Sequence, residues 1–164
     1  MLFGIDPNTR YLAIVELDLK LKEGRPIIHQ TFVIGQEVKG RKAEDRLLPI
    51  FDLFGDWLHL RAHDGMVVWC EAVAFAGGSR SLVQMAAMQT AVQLACHRAL
   101  VPCHVVANTL WKKEVIGKGN ASKEEVAAFL QMHHGLPADW SPPDLYDAYG
   151  VAVAGLKRHR LDVE

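Results

Sequence analysis

Four acids in this chain of 164 residues stand where chemistry is readily built. Asp6 ends the apolar run Leu2-Phe3-Gly4-Ile5, and Glu71 ends a second run, Met66-Val67-Val68-Trp69-Cys70. Short apolar runs bounded by turn signals read as buried strands. Each therefore sets a carboxylate at the C-terminal end of a strand, which is where sites form in open α/β sheets. Asp144 and Asp147 are three apart in a helical stretch and share a face. Ala148, Val151 and Gly155 continue that face. Side chains this modest let a helix press on a sheet and carry both acids to the edge that holds Asp6 and Glu71. Four converging carboxylates repel one another unless a cation sits among them. An all-oxygen donor set, with no His or Cys conveniently placed, favours Mg²⁺ or Mn²⁺ over zinc.

Each acid also has a plain structural reading. Asp6 with Pro7 opens a turn. Asp144 lies three residues after Ser141, which is capping-box spacing, and it suits the helix dipole. Asp147 gains less from either effect. Glu71, beside Val-Val-Trp-Cys, is the hardest to explain structurally. Singly, each acid is better read as structural; two strand ends plus an i, i+3 pair form a more specific pattern. Other candidates are weaker. His59 and His63 lie i, i+4 on a helix with no glutamate beside His59, and read as surface. His133 and His134 sit at a helix C-terminus, where the dipole accounts for them. Gly117-Lys118-Gly119 has the spacing of neither a P-loop nor a dinucleotide fingerprint.

The elements that must position these acids follow from the pattern. The strand opened at Leu2 stops near Asp6, because Pro7 does not continue a central ladder. Val15, Leu17, Leu19 and Leu21 alternate with charged residues, so a strand with one wet face follows. After the turn Glu23-Gly24-Arg25-Pro26, a third strand runs over Ile27 to Ile34. Ala43 to Ala62 has helical period, and Pro49 implies either a later start or a kink. Met66 to Cys70 and Val101 to Val106 are two further buried strands. Between them Ser81 to Leu100 forms a long helix, apolar almost all round. Asn108 caps a short helix ending at Gly117. Ser122 and Glu125 form a capping box for a helix to His134, stopped by Gly135 and Pro137. The last helix opens at Ser141-Pro142-Pro143-Asp144 and reaches about Arg158. The order βββαβαβαα is an α/β domain with a mixed sheet and helices on both faces.

Composition bounds the rest. The length suits one domain over residues 1–164. There is no run long enough for a bilayer and no basic-then-apolar leader, so a cytoplasmic place is expected. Cys70, Cys96 and Cys103 have no CxxC spacing and read as small buried hydrophobes. With 18 Lys and Arg against 19 Asp and Glu, the chain has no general basic coat, and DNA would need a local patch.

Gly4-Ile5-Asp6-Pro7, the post-strand Glu71, Gly117-Lys118-Gly119-Asn120-Ala121-Ser122-Lys123 and Asp144-Leu145-Tyr146-Asp147-Ala148 occur in this order. Together they resemble the RuvC-type Holliday-junction resolvases, a branch of the ribonuclease H-like nucleases, over nearly the whole chain. The resemblance implies a ribonuclease H-like fold with a five-stranded mixed sheet, a three-stranded antiparallel meander joined to parallel strands. It implies a homodimer that cuts two symmetry-related strands of a four-way DNA junction with Mg²⁺, and carries over Asp6, Glu71, Asp144 and Asp147 as metal ligands. Two ions per site are expected, shared by Asp6, with Mn²⁺ as a substitute, leaving a 5′-phosphate and a 3′-hydroxyl. Lys112 or Lys113, and Lys123, match DNA-contacting positions around the glycine turn, and Lys118 lies within it. Lys123 also sits in a first helical turn, where the dipole disfavours a cation. Phe75 is the candidate for an aromatic that stacks at the crossover. Asn8 stands where the family usually has glycine.

The Ser81 to Leu100 helix is the expected dimer centre, because one sheet face hides only half of it. Alternatives are the same nuclease on flaps or forks, and a catalytically silent DNA-binding module. An actin-like or sugar-kinase domain needs a second such domain, for which 164 residues are too few.

Overall fold

The computed structural model describes residues 1–40, 42–73 and 80–161. Its strands are β1 (Leu2–Pro7), β2 (Leu12–Lys22), β3 (Arg25–Ile34), β4 (Val67–Ala72) and β5 (Cys103–Ala107). Its helices are α1 (Ala43–Arg61), α2 (Arg80–Arg98), α3 (Asn108–Ile116), α4 (Lys123–His134) and α5 (Asp144–Leu161). The sheet order is β3-β2-β1-β4-β5. β1, β2 and β3 form the antiparallel meander, and β4 and β5 add in parallel beside β1. This is the mixed five-stranded sheet expected, with helices on both faces.

Several boundaries differ from the pattern reading. Pro7 still closes the antiparallel ladder, opposite Leu12, and β4 runs on through Glu71 to Ala72. Both acids are therefore the next-to-last residues of their strands rather than residues beyond them. α1 starts at Ala43 and continues through Pro49, which excludes the later start. Three helices follow β5, each where the pattern places one, so the order βββαβαβαα is one helix short.

Strand parity assigns each side chain to a face. Phe3 and Ile5 of β1 and Val68 and Cys70 of β4 pack under α1 and α2, with Ile50, Phe54, Met88 and Val92. Leu2, Trp69 and Val106 lie on the other face, with Ala148, Val151 and Ala152 of α5 and Trp111 of α3. Each fully buried Leu or Ile stabilises the fold by roughly 1.5–3 kcal/mol, which holds the acid-bearing strand rigid between two cores. Asp6 and Glu71 share parity with Gly4 and Trp69, and so point to the α5 side.

Glycine sets how close α5 comes. A Cβ added at Gly4 would fall 2.1 Å from the Ala148 carbonyl oxygen and 2.5 Å from the Ala152 nitrogen. One at Gly155 would strike the Trp69 ring at 2.5 Å. The small-residue face of α5 thus presses directly on β1, as its composition suggested.

α2 is less apolar outward than its sequence implies. Met88, Ala91, Val92, Ala95 and Cys96 are buried. Val83 and Leu94 are the exposed large apolar residues of its outward stripe. Cys70 and Cys96 are buried free thiols, and Cys103 is half-buried. Among the described residues no helix is long and apolar enough to cross a membrane.

Candidate active site

The register of β1 on β4 pairs Gly4 with Trp69 and Ile5 with Cys70. Asp6 and Glu71 are the next residue on each strand, so neighbouring parallel strands deliver two carboxylates to one lip. The close approach of α5 at Gly4 brings Asp147 and Asp144 over that lip. Single carboxylate oxygens of Asp6, Asp144 and Asp147 lie within 4.8 Å of one another. Glu71 is not of that trio, but it is the carboxylate that acts most strongly on Asp6. Among the described residues, the buried charged side chains are Lys112, Asp144 and Asp147, and all three line this cleft of about 340 Å³. A larger groove, about 740 Å³, runs between α1 and α2. Its charged groups Asp52, Asp56, His59 and Arg98 are exposed, so the desolvated chemistry belongs to the smaller cleft.

Electrostatics sorts the four acids. Burial, then repulsion by Glu71, Asp147 and Asp144, pushes the Asp6 carboxyl well above the carboxylate range. Burial raises Glu71 to about 7, against the hydrogen bond it accepts from Asn108. Burial also raises Asp147. Burial acts the same way on Asp144, but hydrogen bonds from Lys123 and Tyr11 outweigh it and hold that carboxyl low. Burial opposes the charge on Lys123, while Asp144 and Asp147 raise its pKa overall. The site is thus three acids short of countercharge and one that has found it.

The hydrogen bonds show which oxygens remain available. Asp144 accepts from Tyr11 Oη at 2.5 Å and Asn8 Nδ2 at 2.9 Å on Oδ2, and from Lys123 on Oδ1. Lys123 Nζ also lies 3.5 Å from Asp147 Oδ2. Asn108 Nδ2 donates to Glu71 Oε1. Glu71 Oε2 and Asp147 Oδ1 are buried with no partner, and the nearby Trp111 indole favours the Glu71 anion without hydrogen-bond geometry. A buried carboxylate oxygen left bare is costly. Hard, bare, converging oxygens are what a divalent cation requires, so the residues fit a metal of the Mg²⁺ or Mn²⁺ kind.

Other expected residues fall in several places. Lys112, not Lys113, faces the cleft; its Nζ donates to the Ala121 carbonyl at 3.0 Å, while Lys113 is exposed outside the lining. Lys118 is exposed and pairs with Glu125 at 2.5 Å. Lys123 is turned onto the acids. Phe75 lies outside the described residues. The Ser141–Asp144 capping box does not form as expected, since the Asp144 side chain is taken by Tyr11, Asn8 and Lys123. Ala107, not Asn108, occupies the cap position of α3, and Asn108 serves Glu71 instead. Sequence reasoning missed Tyr11 and the site role of Asn8 and Asn108. Asn108 carried a usable signal, because it directly follows the strand beside β4.

The model of the family described as crossover junction endodeoxyribonuclease RuvC matches residues 2–155. The protein of that name from Sorangium cellulosum is 31% identical over 93% of this chain and 82% of its own length. That from Wolinella succinogenes is 25% identical, over 98% of this chain and 96% of its own. The structure of T. thermophilus RuvC in complex with a Holliday junction substrate superposes with a TM-score of 0.78, at 24% identity, covering 98% of this chain and 95% of that one. That likeness places the sheet and its helices in the ribonuclease H-like fold. Family model, relatives and fold agree from one end of the chain nearly to the other, and the chain belongs to the RuvC family of crossover junction endodeoxyribonucleases.

Proposed function

We propose that this chain is a structure-selective endodeoxyribonuclease, a single nuclease domain that resolves four-way DNA junctions by paired, metal-dependent phosphodiester hydrolysis. The observation that carries the reading is the convergence of Asp6, Glu71, Asp144 and Asp147 on one lip, with two bare buried oxygens, in a chain of this family.

Asp6, Asp144 and Asp147 would hold one Mg²⁺ and Asp6 with Glu71 a second, Mn²⁺ serving in place of either. Such ions supply a water-derived nucleophile at neutral pH and neutralise charge on the attacking and leaving oxygens. The protein's own part is to orient and to exclude. β1 and β4 fix Asp6 and Glu71 from a rigid sheet. Asn108 holds Glu71 by Oε1 and leaves Oε2 without a protein partner. Lys112 offers a cation at the cleft wall, where a DNA phosphate would lie. Lys123 neutralises Asp144 and Asp147 in the metal-free protein, and with a metal held by those acids its ammonium would be available to a DNA phosphate. Lys113 and Lys118, both exposed, would meet DNA outside the cleft. Hydrolysis that breaks the bond to the 3′ oxygen leaves a 5′-phosphate and a 3′-hydroxyl, ready for ligation.

Paired incision requires two sites at a fixed separation, and a homodimer across α2 would supply it. Val83 and Leu94 would lie at its centre. Glutamate at Leu94, rather than at the inward Met88 or Ala95, should give a folded monomer that nicks but seldom cuts in pairs. Sedimentation as a monomer at concentrations that still resolve junctions would sink the dimer.

The decisive assay is a labelled synthetic four-way junction with Mg²⁺ or Mn²⁺, run beside flaps and forks. Symmetric paired nicks on the junction are the expected result. Preferential cutting of flaps or forks would move the assignment to another branched substrate. Binding without cleavage in either metal would leave a silent module.

A further inference from the structure

The turn between β1 and β2 reaches across the molecule to an acid at the first residue of α5. Asn8 organises it. Its Oδ1 accepts from the backbone N–H groups of Arg10 at 2.7 Å and Tyr11 at 3.2 Å, and its own N–H donates to the Tyr11 carbonyl at 3.1 Å. Two backbone donors on Oδ1 fix which way the amide faces, so Nδ2 is the end turned to Asp144 Oδ2. Tyr11, held by that same turn, packs its ring against the core under α5 and puts its hydroxyl on the same oxygen. Asp144 Oδ2 is thereby occupied by two donors more than 130 residues away in sequence. A glycine at position 8 could supply neither the amide to Asp144 nor the side-chain oxygen that sets Tyr11.

We infer that Asn8 and Tyr11 are a positioning pair that acts through Asp144, clamping Oδ2 so that Oδ1, the oxygen that Lys123 holds in the metal-free protein, is the one presented to a metal beside Asp6 and Asp147. The inference rests on the metal-site reading above. A carboxylate with one oxygen held by protein donors binds a metal through the other and does not swing to chelate with both. In this role both residues act through Asp144 and not as metal ligands themselves. The clamp spends two hydrogen bonds to remove a rotational freedom that a metal would otherwise have to freeze. It also ties the geometry of the site to the β1–β2 turn rather than to α5 alone. Partners of this outer kind govern metal affinity in general.

The test is Mn²⁺ binding to the full chain without DNA, followed by the electron paramagnetic resonance signal of free Mn²⁺. Tyr11→Phe removes one donor and keeps the ring; Asn8→Gly removes the other donor together with the side-chain oxygen that sets the turn at Tyr11. Each should weaken Mn²⁺ binding about tenfold. The same changes made in an Asp144→Ala background should weaken it no further, because nothing is left to clamp. That non-additivity separates positioning from general loosening, which would carry over into the Asp144→Ala background. The thermal midpoint and circular dichroism of the metal-free variants confirm folding, and if one variant fails to fold the other decides. Unmodified protein that binds no Mn²⁺ overturns the metal site itself. Unmodified protein that binds, with Tyr11→Phe and Asn8→Gly binding equally well or losing the same factor with and without Asp144, overturns the clamp alone.

Discussion

Asparagine at position 6 keeps the shape of the side chain and removes the charge a metal needs. Asp6→Asn should lower junction cleavage roughly a thousandfold or more, while junction affinity, set by phosphate contacts elsewhere, stays close to that of the unmodified protein. A gel assay of cleavage beside a binding isotherm checks both; cutting at the normal rate would remove Asp6 from the metal site. As an acid of a first helical turn, Asp144 would tolerate asparagine well. As a buried partner of Lys123 within reach of Asp6 and Asp147, it should not, and Asp144→Asn should be as damaging as Asp6→Asn. Lys123 is the cation the acids already have. Lys123→Ala should therefore destabilise the metal-free protein at neutral pH, and Mg²⁺ should raise its thermal midpoint more than that of the unmodified chain. If Lys123 also meets one phosphate, the salt dependence of binding flattens by about one unit of slope.

At the scale of elements, the contact of α5 on β1 decides whether four acids form a site. Gly4→Ala would drive a methyl group to 2.1 Å from the Ala148 carbonyl oxygen. Backbone cannot yield there as a flexible side chain would, so the helix must lift. The expected cost is about 1–3 kcal/mol or more of stability, together with weaker metal binding, because Asp144 and Asp147 ride on the displaced helix. Gly55→Ala in α1 is the control. Its Cβ would meet nothing within 4 Å, and the exchange in a helix should stabilise by up to about 1 kcal/mol. Denaturant unfolding of the two variants checks the contrast; equal effects would mean that α5 does not bear on β1.

For the whole molecule, the crowded acids make stability depend on pH in an unusual direction. The native state holds the Glu71 proton up to about pH 7, whereas the unfolded chain releases it near 4.5. Between these values the native state binds more protons, so metal-free stability falls as pH rises. Glu71 alone accounts for up to about 3 kcal/mol, and Asp6 and Asp147 act in the same sense. Asp144 acts oppositely, but only below the ordinary carboxylate range. Metal-free protein should therefore melt higher at pH 5 than at pH 8, and Mg²⁺ should restore most at pH 8. Thermal melts at both values, with and without metal, are the measurement. A metal-free midpoint that rises with pH across this window would show the acids to be already compensated.

The sequence by itself determined the strands, because a buried strand must be apolar and bounded, and the last residue of each such run is conspicuous when it is an acid. Asp6 and Glu71 were visible for that reason, and Asp144 and Asp147 because helical period puts i and i+3 on one face. The small residues of α5 likewise announced a close contact. Tertiary structure alone decided the rest. Nothing local tells whether Lys112 or Lys113 faces the cleft; the packing of Trp111 beneath α5 sets the rotation of α3. Asn108 is marked only by following an apolar strand directly; that its partner is Glu71, 37 residues away, is decided by β4 and β5 being neighbours. Met88 and Ala95 looked as free to face outward as Val83 and Leu94, because an almost wholly apolar helix carries no polar stripe to orient it. The clamp on Asp144 is the extreme case. Asn8 and Tyr11 have ordinary turn roles in sequence, and only the closure of α5 onto β1 brings an acid from the far end of the chain within their reach.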